Sequence, residues 1–389
     1  MTVASIVSPR LMRIGGGAVE GVADVLLSFG LSKPLVVTDP WMASSGTVER
    51  CLAPLRKAGI AAQVFSDTVP DPTDTVIEAG VAILQSGDFD CLIGFGGGSP
   101  MDTAKAMAIL AAAPPGTHIG AFKVPAAANT AALPVICVPT TAGTGSEATR
   151  FTVITDTETD EKMLIAGLGA LPLAALVDYE LTFSVPPRTT ADTGIDSLTH
   201  ALEAFVSKRA NPHADSLALA AMRLIGPNLR RVWRDPKGAA AREAMMLGAT
   251  QAGLAFSNSS VALIHGMSRP IGAHFHVPHG LSNAMLLPAV TEFGLNDALP
   301  RYAEAARAIG AARADDADQV AGAKLLEELR ALNAELEVPT PRAYGIDAAR
   351  WDGLMPTMAR QALASGSPAN NPRVPTEEEI LALYRRVYA

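Results

Sequence analysis

Cysteine is scarce in this chain, with only Cys51, Cys91 and Cys137 among 389 residues. An odd number without motif spacing excludes a disulfide framework and a cysteine-based zinc module. Cys91 and Cys137 lie in apolar, strand-like runs and are expected to be buried free thiols, as suits a reducing compartment. Positive charge is also in the minority. The 31 Lys and Arg against 39 Asp and Glu leave a net charge of −8, and no long basic cluster interrupts that balance, which excludes a general nucleic-acid surface. Aromatics make up only 5% of the chain while hydrophobic residues reach 49%, so the interior is built from Ala, Val and Leu. No uninterrupted apolar run approaches the roughly 18 residues of a membrane-spanning helix. The first ten residues have neither a long apolar core nor a cleavage-site pattern, so no signal peptide is expected and the cytoplasm is the default location.

The length exceeds that at which one hydrophobic core stops growing, which predicts two domains. Short apolar runs at 34–38, 61–65, 91–95, 134–138 and 175–178 read as strands. Helical runs at about 17–29, 43–58, 73–86 and 100–112 alternate with them, the second opening near Ser44-Ser45 and the third after Asp71-Pro72-Thr73-Asp74. That alternation predicts a mostly parallel sheet with helices on both faces. Residues 152–156 and 162–166 flank a polar run and read as a hairpin instead. Pro186-Pro187 marks the expected boundary between an α/β domain (1–185) and an all-helical domain (186–389). The final helix opens at Thr376-Glu-Glu-Glu379, a capping box.

Histidine is sparse too, yet residues 265–279 hold four of the seven. Asp196 and His200 sit i, i+4 in a run that reads as helix, so they share one face. With His265 and His279 they form a carboxylate-plus-three-imidazole set suited to Fe²⁺ or Zn²⁺, with room left for a substrate oxygen. Two glycine-rich loops each follow a strand. Gly96-Gly97-Gly98-Ser99 opens a helix carrying Asp102 and Lys105, and its N-terminal N–H groups suit a pyrophosphate. Thr140-Thr141-Ala142-Gly143-Thr144 offers hydroxyls to phosphate or ribose. Asp39 ends the first of the predicted strands, where a carboxylate can accept from ribose hydroxyls and would repel the 2′-phosphate of NADP, which favours NAD.

Taken together, Gly96–Lys105, Pro139–Glu147, Thr193–Ala204, Ala252–Asn258, Pro278–Pro288 and Asn371–Arg373 resemble the iron-containing (group III, iron-activated) alcohol dehydrogenases, essentially from end to end. The resemblance implies a Rossmann-like N-terminal domain and an all-α C-terminal domain, in a dehydroquinate-synthase-like architecture with the active site in the cleft between them. It implies a homodimer or higher homo-oligomer acting on a small-molecule alcohol or aldehyde. The family's metal ligands fall on Asp196, His200, His265 and His279, and its nucleotide contacts on Asp39, Gly97, Gly98, Ser99, Asp102, Thr140, Thr141, Thr144 and Lys162. The implied activity is metal-dependent hydride transfer with NAD(H).

Two positions depart from that pattern. Position 151, often polar in the family, is Phe151. Many members carry a second His four residues after the third ligand, where this chain has Arg269. Arg cannot relay protons near neutral pH, which leaves His276 or His274 for that role. Its planar fork suits a carboxylate, phosphonate or sulfonate on the substrate, making an anionic aldehyde or hydroxy acid the alternative substrate class. The competing expectation is that Arg269 pairs with a protein carboxylate or points away. A dehydroquinate-synthase-like lyase is the remote alternative, although the basic cluster it needs around a substrate phosphate is not found, and a non-catalytic nucleotide-binding protein has no need of four converging ligands.

Overall fold

The computed structural model describes residues 3–389, which divide into two compact units at Val185/Pro186. The N-terminal unit holds β1 (Leu11–Ile14), β2 (Pro34–Val37), β3 (Gln63–Phe65), β4 (Cys91–Gly96), β5 (Val135–Pro139), β6 (Phe151–Asp156), β7 (Glu161–Ala166) and β8 (Ala174–Val177). Its helices are α1 (Val22–Ser28), α2 (Pro40–Ser44), α3 (Glu49–Lys57), α4 (Asp74–Ser86) and α5 (Gly98–Ala111).

Six strands form one parallel sheet in the order β1-β8-β5-β4-β2-β3. The pleat sends alternate side chains to opposite faces, and both faces are covered. Leu35, Val37 and Leu92 pack with Ile77, Met101 and Met107 of α4 and α5 on one side. Val36, Ile93 and Phe95 pack with Val25, Leu26 and Leu55 of α1 and α3 on the other. All five predicted strands are present, and β6 and β7 form the predicted antiparallel hairpin. β1, a partly buried edge strand, was not anticipated because four residues after a proline give too short a pattern. The single helix expected at 43–58 is two. Asp39 caps α2 by accepting from Met42 N at 2.8 Å, so the helix starts before Ser44-Ser45 rather than there. A turn at 45–48 then separates it from α3.

β2 connects toward one sheet edge and its neighbour β4 toward the other. The crevice at the carboxyl ends of such a strand pair is where open α/β sheets bind ligands. Asp39 follows β2 there, and the Gly96–Gly98 loop follows β4.

The C-terminal unit spans Pro186–Ala389 with residues 3–5 and is helical: α6 (Pro187–Val206), α7 (Pro212–Arg234), α8 (Ala239–Ser257), α9 (Leu263–Phe275), α10 (His279–Gly294), α11 (Leu299–Ile309), α12 (Asp318–Glu335), α13 (Pro341–Tyr344), α14 (Ala348–Ala364) and α15 (Glu377–Tyr388). α6 is buried on nearly every face. The capping box of α15 forms as expected, with Glu379 N donating to Thr376 Oγ1 and Thr376 N donating to Glu379 Oε2. No helix among the described residues is long and apolar enough to cross a membrane.

Candidate metal centre

Three helices bring together four side chains able to ligate a metal ion. Asp196 and His200 lie one turn apart on α6, His265 is in the first turn of α9, and His279 is the first residue of α10. Gly280 lets α10 approach α6, since a Cβ there would stand 2.4 Å from the Asp192 carbonyl oxygen. Any larger residue would push His279 away from Asp196. Asp196 Oδ1 is 3.8 Å from His200 Nε2, 3.6 Å from His265 Nε2 and 3.9 Å from His279 Nε2. The four ligand atoms all lie within 4.8 Å of one another. A tetrahedral ion with bonds of about 2.1 Å has ligand–ligand edges of about 3.4 Å, so a slight contraction of this set would hold one.

The lone pairs converge on a point already marked by a donor. The Nδ2 of Asn283, one turn into α10, lies 2.7 Å from Asp196 Oδ1, 3.1 Å from His265 Nε2 and 3.2 Å from His279 Nε2. A buried cluster of acceptors facing inward around one N–H group fits a cation. Three ligand side chains are 2–6% exposed, whereas His279 is 35% exposed, so the site has one open side.

Outer partners set the ring orientations. Glu203, three residues after His200 on α6, accepts from His265 Nδ1 at 2.6 Å, which fixes the tautomer and leaves Nε2 as a lone-pair donor. The same carboxylate accepts from Ala262 N and Ile264 N, so it also pins the start of α9. The Ser268 hydroxyl lies 3.3 Å from His279 Nδ1. Burial alone would lift the Asp196 pKa, but the imidazoles of His200, His279 and His265 outweigh it and hold the carboxyl far below its usual range. Burial likewise opposes charge on His265, yet Glu203 and Asp196 bring its pKa up to about 8. Glu203 was not singled out from the sequence; an acidic residue on the Asp196/His200 face, set in the apolar run Ala201–Val206, was the available signal.

The other predicted residues divide. In the N-terminal unit Gly98 packs so closely against the second loop that a Cβ would meet Thr144 Cγ2 at 2.8 Å, and Gly96 adopts φ +147°, which only glycine takes without strain. The two loops are therefore neighbours. Gly97 caps α5 without a side-chain partner for the first-turn N–H groups, and the buried Thr140 Oγ1 has no protein partner. This cradle fits a nucleotide phosphate. Asp102 and Lys162 are committed within the fold. Asp102 accepts from Ser146 Oγ and Val153 N, and Lys162 Nζ pairs with Asp71 Oδ1 at 2.7 Å. His276 is exposed and closes α9 with φ 54°, and His274 bonds Gln361; neither joins the ligand cluster. Arg269 donates from Nη1 to Ser367 Oγ at 3.0 Å.

Lys105 is the buried bolt of the nucleotide region. Its Nζ reaches Ser146 O at 2.6 Å, Ser146 Oγ at 2.9 Å, Thr149 O at 3.1 Å and Phe151 O at 3.0 Å, tying α5 to the second loop. Burial pushes its pKa down, against the attraction of Asp102. Lys105→Met strands three carbonyls and should cost roughly 3 kcal/mol. Urea unfolding checks it, and an unchanged midpoint would contradict the reading.

Family models match both units, "Iron-containing alcohol dehydrogenase" over residues 9–179 and "Fe-containing alcohol dehydrogenase family, C-terminal" over residues 190–388. The chain belongs to the iron-containing alcohol dehydrogenases. It is 37% identical to long-chain-alcohol dehydrogenase 1 of Geobacillus thermodenitrificans, covering 100% of this chain and 98% of that one. It is 34% identical to the lactaldehyde reductase of Escherichia coli, covering 96% and 97%. The solved structure of a 1,3-propanediol oxidoreductase matches with TM-score 0.94 at 34% identity, covering 99% and 100%. The Rossmann-like and all-α architecture follows, as does the enzyme class, an iron-type, NAD(H)-dependent oxidoreductase of alcohols and aldehydes. Membership across both units leaves the lyase and non-catalytic readings without support.

Proposed function

We propose that the chain interconverts a short alcohol and its aldehyde with NAD(H) in preference to NADP(H), with Asp196, His200, His265 and His279 holding Fe²⁺. The observation that carries this reading is the buried four-ligand set with one open side. A bound ferrous ion supplies Lewis acidity toward the substrate oxygen. Glu203 keeps the proton of His265 on Nδ1, and Ser268 orients His279, so both rings present Nε2 inward. The apolar neighbours of α6 keep water from three of the four ligands. Gly97, Gly98, Ser99, Thr140, Thr141 and Thr144 cradle the pyrophosphate, and Asp39 accepts from the ribose hydroxyls.

Anaerobic reconstitution with Fe²⁺ or Zn²⁺, followed at 340 nm with NAD and NADP over a panel of alcohols and aldehydes, tests the reading. Metal-dependent NADH turnover is expected, and its absence with both metals would reject it. Asp39→Ser keeps a capping oxygen for α2 but removes the charge. It should move the NADP/NAD ratio of kcat/KM upward by about tenfold, the equivalent of ~1.4 kcal/mol of relieved repulsion. An unmoved ratio would remove Asp39 from the ribose site. We further propose a homodimer or higher oligomer in the cytoplasm. Family resemblance supports the oligomer, three buried free cysteines support the compartment, and sedimentation velocity checks the former.

A further inference from the structure

Arg269 follows the ligand His265 by four residues on α9, so both side chains leave one helix face with Cβ atoms roughly 5–6 Å apart. It is half-buried, and burial lowers its pKa from the usual guanidinium value. Among the described residues no carboxylate pairs with it, and its hydrogen bond runs to the hydroxyl of Ser367. Glu203 acts on it electrostatically, but both Glu203 oxygens already accept N–H groups. Ser367 is buried, and its hydroxyl, having accepted from Arg269, keeps its own O–H to donate. A half-buried guanidinium with no carboxylate hydrogen-bonded to it is unfavourable. A serine hydroxyl needs no guanidinium as its partner.

We infer that Arg269 and Ser367 form an anion-binding subsite beside the metal centre, so that the preferred aldehyde or alcohol carries a carboxylate or similar oxyanion a few bonds from the reacting carbon. This rests on the dehydrogenase reading for its reacting end only. The guanidinium fork and the serine O–H supply parallel donors to two oxygens of one anion. Position 269 then selects substrate and takes no part in proton transfer.

The test compares kcat/KM for succinic semialdehyde with that for butyraldehyde, its uncharged counterpart of equal chain length, on the iron-loaded full chain. The wild type should favour the anion by about 30-fold or more, as expected for a charged hydrogen-bonded pair. Arg269→Met should bring the ratio close to unity, and Ser367→Ala should lower it by about fivefold. A wild-type ratio near unity, or one that survives Arg269→Met, overturns the inference. If Arg269→Met fails to fold, the wild-type ratio and Ser367→Ala decide. Calorimetry of succinate with the metal-free protein keeps the two readings apart. Binding in the wild type that is lost in Arg269→Met supports the subsite even if no aldehyde is turned over, an outcome that would reject the dehydrogenase reading alone. No succinate binding, or equal binding in both proteins, overturns the subsite.

Discussion

His265→Ala is expected to yield a folded protein that retains no metal and has lost about a thousand-fold in kcat/KM, corresponding to ~4 kcal/mol of lost charge stabilisation at the substrate oxygen. The fold should survive because Glu203, the buried partner of His265, keeps two backbone donors, Ala262 N and Ile264 N. The remaining loss is the cavity left by the imidazole together with one buried hydrogen bond to the Glu203 carboxylate, roughly 3–5 kcal/mol. Metal content by atomic emission, circular dichroism and NADH turnover decide the outcome together. A metal-free variant with near wild-type turnover would remove the metal from the mechanism.

Glu203→Gln should weaken metal binding by about 10- to 100-fold with little change in backbone fold. The carboxylate accepts three N–H groups, from Ala262, Ile264 and His265. An amide offers only one acceptor oxygen, so its NH₂ must face at least one of these donors. If it faces His265, the imidazole proton moves to Nε2 and blocks the ligand lone pair. If it faces Ile264, the start of α9 loses a buried partner, at about 1–3 kcal/mol. Chelator competition for Fe²⁺ reads the first effect and urea unfolding the second. A metal affinity equal to that of the wild type would show that Glu203 serves only to pin α9.

The convergence of Asp196, His200, His265 and His279 was legible because the first two share a helix face and the others fall in a histidine-dense segment. The parallel sheet was legible for a similar reason, since strands buried on both faces read as continuous apolar runs such as Cys91–Gly96. What escaped depends on tertiary contact. β1 pairs with β8 across more than half the N-terminal unit, and nothing in Leu11–Ile14 announces that partner. Asp39 carries two signals, strand end and helix cap; the cap starts α2 before Ser44-Ser45, and the turn at 45–48 splits what periodicity draws as one helix. The partners that Asp102 and Lys162, expected at the nucleotide, find in Ser146, Val153 and Asp71 are likewise set by the fold. Glu203 and Asn283 were hidden because their roles exist only where α6, α9 and α10 meet. Ser367 lies 98 residues from Arg269, a pairing that no local pattern encodes.

The most direct measurement is an anaerobic titration of metal-free protein with Fe²⁺, recording bound iron per chain and NADH turnover at every point. Saturation is expected at one ion per chain, with activity rising in proportion to occupancy and disappearing in His265→Ala. Turnover before iron is added, or activity that fails to follow occupancy, would contradict this expectation.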